Sequence, residues 1–160
     1  MMSASWNYQA PRWLPGGHAQ TIWPALFARP YRREAPPYQR ERWLAPDGDF
    51  IDVDHFGCTA GAPWLVLFHG LEGSSSSHYA IAFARAAQAR GWNFSVPHFR
   101  GCSGEPNLAP RSYHSGDFAE IDWMLARIRE RAAAPVLAAG VSLGGNALLT
   151  QRPVVVAAQH

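Results

Sequence analysis

Hydrophobic and polar positions divide the chain into an irregular first part and a regular second part. Residues 1–37 mix Trp, Pro, Gly and Arg without a sustained period, which predicts an irregular extension with a short helical turn around Ala19–Phe27. Two segments follow, Tyr38–Leu44 and Phe50–Phe56, and the Asp-Gly pair between them is typical of a hairpin turn. We therefore predict an antiparallel hairpin at the start of a folded domain.

After Gly61 the chain alternates between short apolar runs and amphipathic segments. These segments predict strands at Trp64–Phe68, Trp92–Val96 and Val136–Ala139, and helices at His78–Arg90 and around Phe118–Ile128. The first run is apolar throughout, as in a strand buried on both faces, and the second alternates apolar with polar residues. A strand–helix–strand–helix–strand order predicts a parallel sheet with right-handed crossovers.

The last predicted strand leads into Gly140–Gly144, which has the pattern G-x-S-x-G. This pattern is typical of the nucleophile elbow of serine hydrolases, in which a serine lies on a sharp turn between a strand and a helix. A short pattern also arises by chance in a glycine-rich chain. The preceding strand and the helix-compatible segment Leu143–Leu149 favour a true elbow, so Ser142 is the candidate nucleophile.

A second motif, His69–Gly73, follows the first parallel strand directly. In hydrolases with such an elbow, the loop at this place supplies one N–H of the oxyanion hole, and the residue after the nucleophile supplies the other. The two donors here would be the main-chain N–H groups of Leu71 and Leu143. The alternative is a glycine-rich turn without a catalytic role, and the elbow predicted at the end of another strand argues against this alternative.

Three other groups of residues have side chains that could react or bind a ligand, but their sequence contexts favour structural roles. Cys102 lacks a histidine at a recognisable spacing, so a loop position is the better interpretation than a nucleophile. His78, His98 and His114 come from different predicted elements without metal-ligand spacing, so surface or hydrogen-bonding roles are favoured over a metal site. Ser74–Ser77 suits a loop and helix cap better than a phosphate cradle, because the Walker lysine is missing.

Composition narrows the class of protein. A chain of 160 residues with 48% hydrophobic and 16% charged residues is long enough for one folded domain, and a net charge of +2 is too small to suggest a nucleic-acid surface. Cys58 and Cys102 are isolated, which favours reduced thiols over a disulfide. The segment Met1–Pro11 has no secretory pattern, and no apolar stretch approaches the ~20 residues of a membrane helix. We therefore predict a cytoplasmic protein.

Several blocks, in order along residues 11–150, resemble the YheT-like family of α/β-hydrolases, also called the AB hydrolase 4 family. They are Pro11–Thr21, His69–Ser74, Phe99–Asn107, Tyr113–Asp117 and Gly140–Asn146. The resemblance implies the N-terminal half of an α/β-hydrolase fold, truncated after the elbow, with divisions at 1–37 (extension), 38–150 (partial domain) and 151–160 (atypical tail). His98 departs from the family, in which we expect an asparagine at this position.

The resemblance also implies hydrolysis of carboxylic esters, with short-chain esters or acylglycerol-like lipids as substrates and no cofactor. Ser142 matches the family nucleophile, whereas the family's acid and histidine lie later and match no position here. The last carboxylate of the chain is Glu130, and the only histidine after Ser142 is His160. We therefore expect a truncated reading of a longer gene and a chain that is inactive alone. The alternative is a non-catalytic half-domain or degenerate product that self-associates through an unpaired sheet edge.

Overall fold

The computed structural model describes residues 9–27, 35–109 and 118–149. The helices within these ranges are α1 (Gly17–Phe27), α2 (His78–Gln88), α3 (Phe118–Arg131) and α4 (Leu143–Leu149). The strands are β1 (Gln39–Leu44), β2 (Phe50–Phe56), β3 (Trp64–Phe68), β4 (Asn93–Pro97) and β5 (Val136–Gly140). Tyr113–Asp117, His114 and the tail 151–160 lie outside the described residues.

The five strands form one sheet in the order β1-β2-β4-β3-β5. β1 and β2 are antiparallel, with Leu44 opposite Phe50 across the turn, which confirms the predicted hairpin. β4, β3 and β5 run parallel to one another, which confirms the predicted parallel sheet, and β2 joins them antiparallel to β4. Parallel strands end at the same edge of a sheet, so the loops after β3, β4 and β5 lie together.

Helices cover both faces of this sheet, and each face has its own core. On one face, alanines of α2 pack against strand side chains that include Leu67 and Phe94. On the other face, the apolar stripe of α3 packs with α4 against strand side chains that include Val66 and Phe68. Because β3 contributes to both cores, its continuously apolar sequence is explained by burial on both sides.

The N-terminal helix is longer than the sequence pattern predicts. We expected a short helical turn, whereas α1 spans 11 residues. Local side-chain bonds favour its first turn: Thr21 Oγ1 donates to the Gly17 carbonyl at 2.9 Å, and Gln20 Nε2 donates to the Leu14 carbonyl at 3.2 Å. Trp23 stacks on Phe27 and meets Trp13 edge-on, so local aromatic packing supports the helix as well.

Polar residues on β2 and β4 are buried because they have partners within the fold. Asp54 of β2 accepts hydrogen bonds from Arg40, His98 and Ser75, which belong to β1, the loop after β4 and the loop after β3. On β4, the polar positions of the alternating pattern, Asn93 and Ser95, are as buried as their apolar neighbours. The alternation in β4 therefore reflects two kinds of buried environment rather than one exposed face.

Replacing Asp54 with asparagine tests the importance of the Asp54 contacts. Asp54→Asn removes the negative charge opposite Arg40 and His98 while keeping the side-chain volume, and we expect the free energy of unfolding to fall by roughly 3 kcal/mol. Urea denaturation measures this change. Glu105, which pairs with Arg42 on the surface, provides the control, since Glu105→Gln should change stability by no more than about 0.5 kcal/mol. Equal effects of the two substitutions would contradict the assignment of Asp54 as a buried anchor.

Candidate active site

The predicted elbow is a strand–turn–helix in the structure. β5 ends at Gly140, α4 begins at Leu143, and Ser142 between them has a φ of 51°, a left-handed conformation that side chains rarely adopt. The Val141 N–H donates to the Phe68 carbonyl at 3.0 Å, which joins the turn to the end of β3. Ser142 is exposed, so its hydroxyl is accessible to a substrate.

Two glycines allow this turn to close. A Cβ on Gly140 would lie 2.6 Å from the carbonyl carbon and oxygen of Gly144, and a Cβ on Gly144 would lie 2.4 Å from the Phe68 carbonyl oxygen. Real Cβ atoms do not approach main-chain atoms so closely. The two glycines of the pattern G-x-S-x-G therefore have a steric basis here.

The loop after β3 reaches the elbow at Ser142. A Cβ on Gly70 would lie 3.4 Å from Ser142 Cβ and 3.3 Å from the Val141 carbonyl oxygen, so the Gly70 main chain faces the elbow. The next residue is Leu71, and Leu143 directly follows the nucleophile. Across the described ranges, no main-chain hydrogen bond is made by the N–H of Leu71 or of Leu143. The fold thus brings Ser142, Leu71 and Leu143 close together, and the N–H groups of the two leucines make no main-chain hydrogen bond within the described ranges.

His69 is a site residue that the sequence analysis did not single out. It is fully buried, and its Nε2 accepts the Phe99 N–H at 3.0 Å. The proton of the neutral ring is therefore on Nδ1, which donates to the Gly70 carbonyl at 2.8 Å. Burial lowers the pKa of His69 to about 4. The available signal was the His-Gly pair at the end of a buried strand, but its partner Phe99 is 30 residues away in sequence.

His98 belongs to a buried polar network. Its Nε2 donates to Asp54 Oδ2 at 2.9 Å, and its Nδ1 faces the Cys102 carbonyl at 3.3 Å. Burial alone would raise the pKa of Asp54, but hydrogen bonds from Arg40, His98 and Ser75 lower it below the ordinary range. In the part of the chain that the structure describes, no three His, Cys, Asp or Glu side chains are grouped so as to hold a metal ion.

The remaining candidates, Cys102 and the serines before α2, take part in the local structure of their loops. Cys102 is half-buried in a turn in which its N–H donates to the Phe99 carbonyl at 2.9 Å, and both cysteines are free thiols. Ser77 stands at the N-cap position of α2 but makes no side-chain cap bond, since its Oγ accepts the Ser74 N–H instead. The predicted cap is therefore wrong in its bonding, although the serines do form the loop before the helix.

The buried histidines of the described residues are bound elsewhere and do not reach Ser142 as a base. His69 bonds to Gly70 and Phe99, and His98 bonds to Asp54 and the Cys102 carbonyl. His55 bonds through Nδ1 to Ser95 at 2.7 Å, within the sheet. Each of these three buried histidines is therefore engaged within the fold and does not act as a base for Ser142, the candidate nucleophile.

Comparison with known proteins agrees with this geometry. Mouse α/β-hydrolase domain-containing protein 10 has the same fold over 69% of this chain and 42% of its own, with a TM-score of 0.55 and 18% identity. The chain is 47% identical over 150 residues to YheT of Escherichia coli (strain K12), whose name carries a provisional esterase assignment. The chain belongs to the YheT-like family of α/β-hydrolases.

The YheT-like chain is also 31% identical over 154 residues to human phospholipase ABHD3. These matches cover 91% and 89% of this chain but 43% and 36% of the two relatives, so the chain spans less than half the length of the curated relatives it matches. No family model matches it. Among the helices that the structure describes, none is both long and apolar enough to cross a membrane.

The stability of this YheT-like chain should fall between pH 7 and pH 5. Burial lowers the pKa of both His55 and His69 from 6.5 to about 4. Between pH 6.5 and pH 4 the unfolded chain binds protons that the folded chain excludes. The free energy of unfolding is therefore highest above pH 6.5 and decreases as the pH falls toward 4. Each histidine contributes on the order of 2 kcal/mol over this change.

Urea denaturation at pH 7 and pH 5 measures the difference. Asp and Glu residues with lowered pKa values lose their contribution only at more acidic pH, so the histidines dominate this window. His55→Asn should reduce the pH dependence by about half, because one of the two groups has been removed. Equal free energies of unfolding at both pH values would show that neither histidine is held neutral.

Proposed function

We propose that this chain carries the nucleophile and the oxyanion hole of a serine hydrolase that acts on carboxylic esters. The observation that supports this most strongly is the left-handed, exposed Ser142 close to two N–H groups, those of Leu71 and Leu143, that make no main-chain hydrogen bond within the described ranges. The family relationship supports hydrolase chemistry in general. The roles of these three residues, the substrate and the cytoplasmic location are our predictions.

In the proposed mechanism, Ser142 Oγ attacks the ester carbonyl carbon and transfers its proton to a histidine base. The carbonyl oxygen becomes an oxyanion, which accepts hydrogen bonds from the N–H groups of Leu71 and Leu143. Collapse of the tetrahedral intermediate expels the alcohol, which takes back the proton, and leaves an acyl-enzyme that water hydrolyses. The resemblance assigns the acid and the base to positions that this chain does not match, so we propose that the chain alone does not turn over esters.

We propose short-chain esters or acylglycerol-like lipids as the substrate class. The two relatives are named for an esterase and a phospholipase, and both names denote the hydrolysis of esters. The Leu71 side chain is 70% exposed, next to the point at which the loop touches the elbow. An apolar side chain at this place would contact the acyl part of the substrate.

Labelling with a fluorophosphonate tests the proposed nucleophile. We expect modification of Ser142, with a rate at least 100-fold below that of an intact serine esterase, because the buried histidines of the described residues are engaged elsewhere and do not activate the hydroxyl. The rate should rise with pH, since solvent must remove the serine proton, and peptide mass spectrometry locates the adduct. Ser142→Ala should abolish the label and Ser76→Ala, on an exposed loop serine, should not. A label on another residue would contradict the assignment of Ser142 as the nucleophile. A labelling rate equal to that of an intact esterase would contradict the prediction that no histidine activates the Ser142 hydroxyl.

A second candidate function is that of a non-catalytic half-domain, and the edge of the sheet favours it. Within the ranges described, β5 pairs with β3 on one side only, and its Leu137 side chain is 44% exposed. An uncovered strand edge can pair with another chain. In this case the chain would form dimers or larger assemblies.

Size-exclusion chromatography with light scattering discriminates between the two candidates. A half-domain that associates through β5 should elute as an oligomer, and the amide protons of Val136–Gly140 should exchange more slowly in the oligomer than in diluted monomer. Leu137→Glu should then restore the monomer, whereas Leu108→Glu, at an exposed leucine of the loop after β4, should not. A monomer that unfolds cooperatively would exclude this second candidate.

A further inference from the structure

Two side chains from different elements hold Gly70, the residue before the proposed oxyanion donor. Its N–H donates to the Tyr79 hydroxyl at 3.1 Å. Its carbonyl oxygen accepts the Nδ1–H of His69 at 2.8 Å and the Gly73 N–H at 3.0 Å. Both polar groups of this single residue are therefore fixed.

The carbonyl bond determines where the neighbouring donor points. The Gly70 C=O and the Leu71 N–H belong to the same peptide group, which is planar and trans, because the structure has no cis peptide bond in the described residues. In a trans peptide the two groups point in opposite directions. By holding the carbonyl oxygen, His69 therefore also sets the direction of the Leu71 N–H.

His69 can do this in one protonation state only. Its Nε2 must accept the Phe99 N–H, so only the neutral ring with its proton on Nδ1 satisfies both partners. The bond to Phe99 also ties the ring to the loop after β4. The direction of the Leu71 N–H thus depends on a loop that follows a different strand.

Tyr79 fixes the peptide group on the other side of Gly70. The tyrosine lies in the first turn of α2, and its hydroxyl occupies the inside of the loop: a Cβ on Gly73 would lie 2.3 Å from the hydroxyl oxygen. The position of a Cβ on Gly70 would be within 4 Å of both this oxygen and Ser142 Cβ. The hydroxyl therefore enters the turn next to the nucleophile, where the absence of a side chain at Gly73 makes room for it.

We propose that His69 and Tyr79 are positioning residues that clamp Gly70 from both sides and thereby aim the Leu71 N–H at the oxyanion formed on Ser142. The inference rests on the proposed function. Neither residue touches the reacting atoms, and each acts through the main chain of Gly70. The clamp joins α2, the end of β3 and the loop after β4 to one hydrogen-bond donor.

The comparison of an oxygen ester with its sulfur analogue tests the clamp. The experiment measures, by intact-protein mass spectrometry, how fast Ser142 of the full chain is acylated by an activated aryl ester and by the corresponding thiono ester. Sulfur is a weaker hydrogen-bond acceptor than oxygen, so an oxyanion hole accelerates the oxygen ester more. A smaller folded fraction lowers both rates by the same factor, so the ratio of the oxygen-ester rate to the thiono-ester rate stays the same. A misaimed donor lowers this ratio.

Tyr79→Phe removes the hydroxyl and keeps the ring, and we expect it to lower the rate ratio about tenfold, a fraction of the effect of deleting a whole oxyanion donor. His69→Leu should lower the ratio at least as much. His69→Asn should restore part of it, because its amide can still donate to the Gly70 carbonyl. Tyr38→Phe is the matched control, since the Tyr38 hydroxyl is buried without a hydrogen-bond partner. A ratio that is unchanged in Tyr79→Phe and His69→Leu would overturn the proposal.

Amide exchange provides a measurement that does not depend on reactivity. In Tyr79→Phe, the Gly70 amide proton should exchange about tenfold faster, since its hydrogen-bond acceptor has been removed, and Tyr38→Phe should leave it unchanged. If Ser142 of the unmodified chain reacts with neither ester but Gly70 exchange responds, the proposed function fails and the clamp stands. Unchanged exchange of Gly70 would overturn the clamp whatever the reactivity of Ser142.

Discussion

The candidate site depends on a close contact between two stretches of main chain. The start of α4 lies against the last residues of β3 at a distance that excludes a side chain at Gly144. This contact, together with the hydrogen bond from Val141 to Phe68, holds Ser142 in its left-handed conformation. The energetic cost of that conformation is met by the surrounding sheet, since β5 pairs with β3 along five residues up to Gly140.

Two buried carboxylates hold the loops around this contact. Asp54 joins β2 to the loops that follow β3 and β4 through Ser75 and His98. Asp49, at the turn of the hairpin, accepts hydrogen bonds from Arg100 and from the loop residues Asn107 and Leu108. The antiparallel hairpin, which carries none of the proposed reacting groups, thus supports the loops at the end of the sheet where the nucleophile lies. Hydrolase chemistry on short loops requires such rigid support.

Local patterns were sufficient to predict the hairpin, the parallel strands and the elbow. Each depends on neighbours in sequence: an Asp-Gly turn, an apolar run, or two glycines around a serine. The extent of α1 was missed because Gly16, Gly17 and Pro24 suggest interruption, whereas side-chain bonds of Gln20 and Thr21 stabilise the first turn. The divisions at 37 and 150 stay predictions, and residue 150 itself lies outside the described ranges.

Features that depend on distant residues could not be predicted from local patterns. The buried state of Ser95 follows from hydrogen bonds to His55 and Trp64, which lie on other strands. The tautomer of His69 follows from Phe99 in the same way. The proximity of Ser142, Leu71 and Leu143 could be predicted from the sequence because their motifs follow parallel strands, whose ends the fold must bring together, whereas their roles stay predictions.

We propose above all that Leu71 and Leu143 form an oxyanion hole for a group bound to Ser142. A crystal structure of the chain after reaction with a fluorophosphonate measures this directly, because the phosphonyl oxygen occupies the place of the oxyanion. We predict an adduct on Ser142 whose phosphonyl oxygen lies about 2.7–3.1 Å from both main-chain nitrogens. An adduct on Ser142 whose oxygen points to solvent, away from both nitrogens, would contradict the claim.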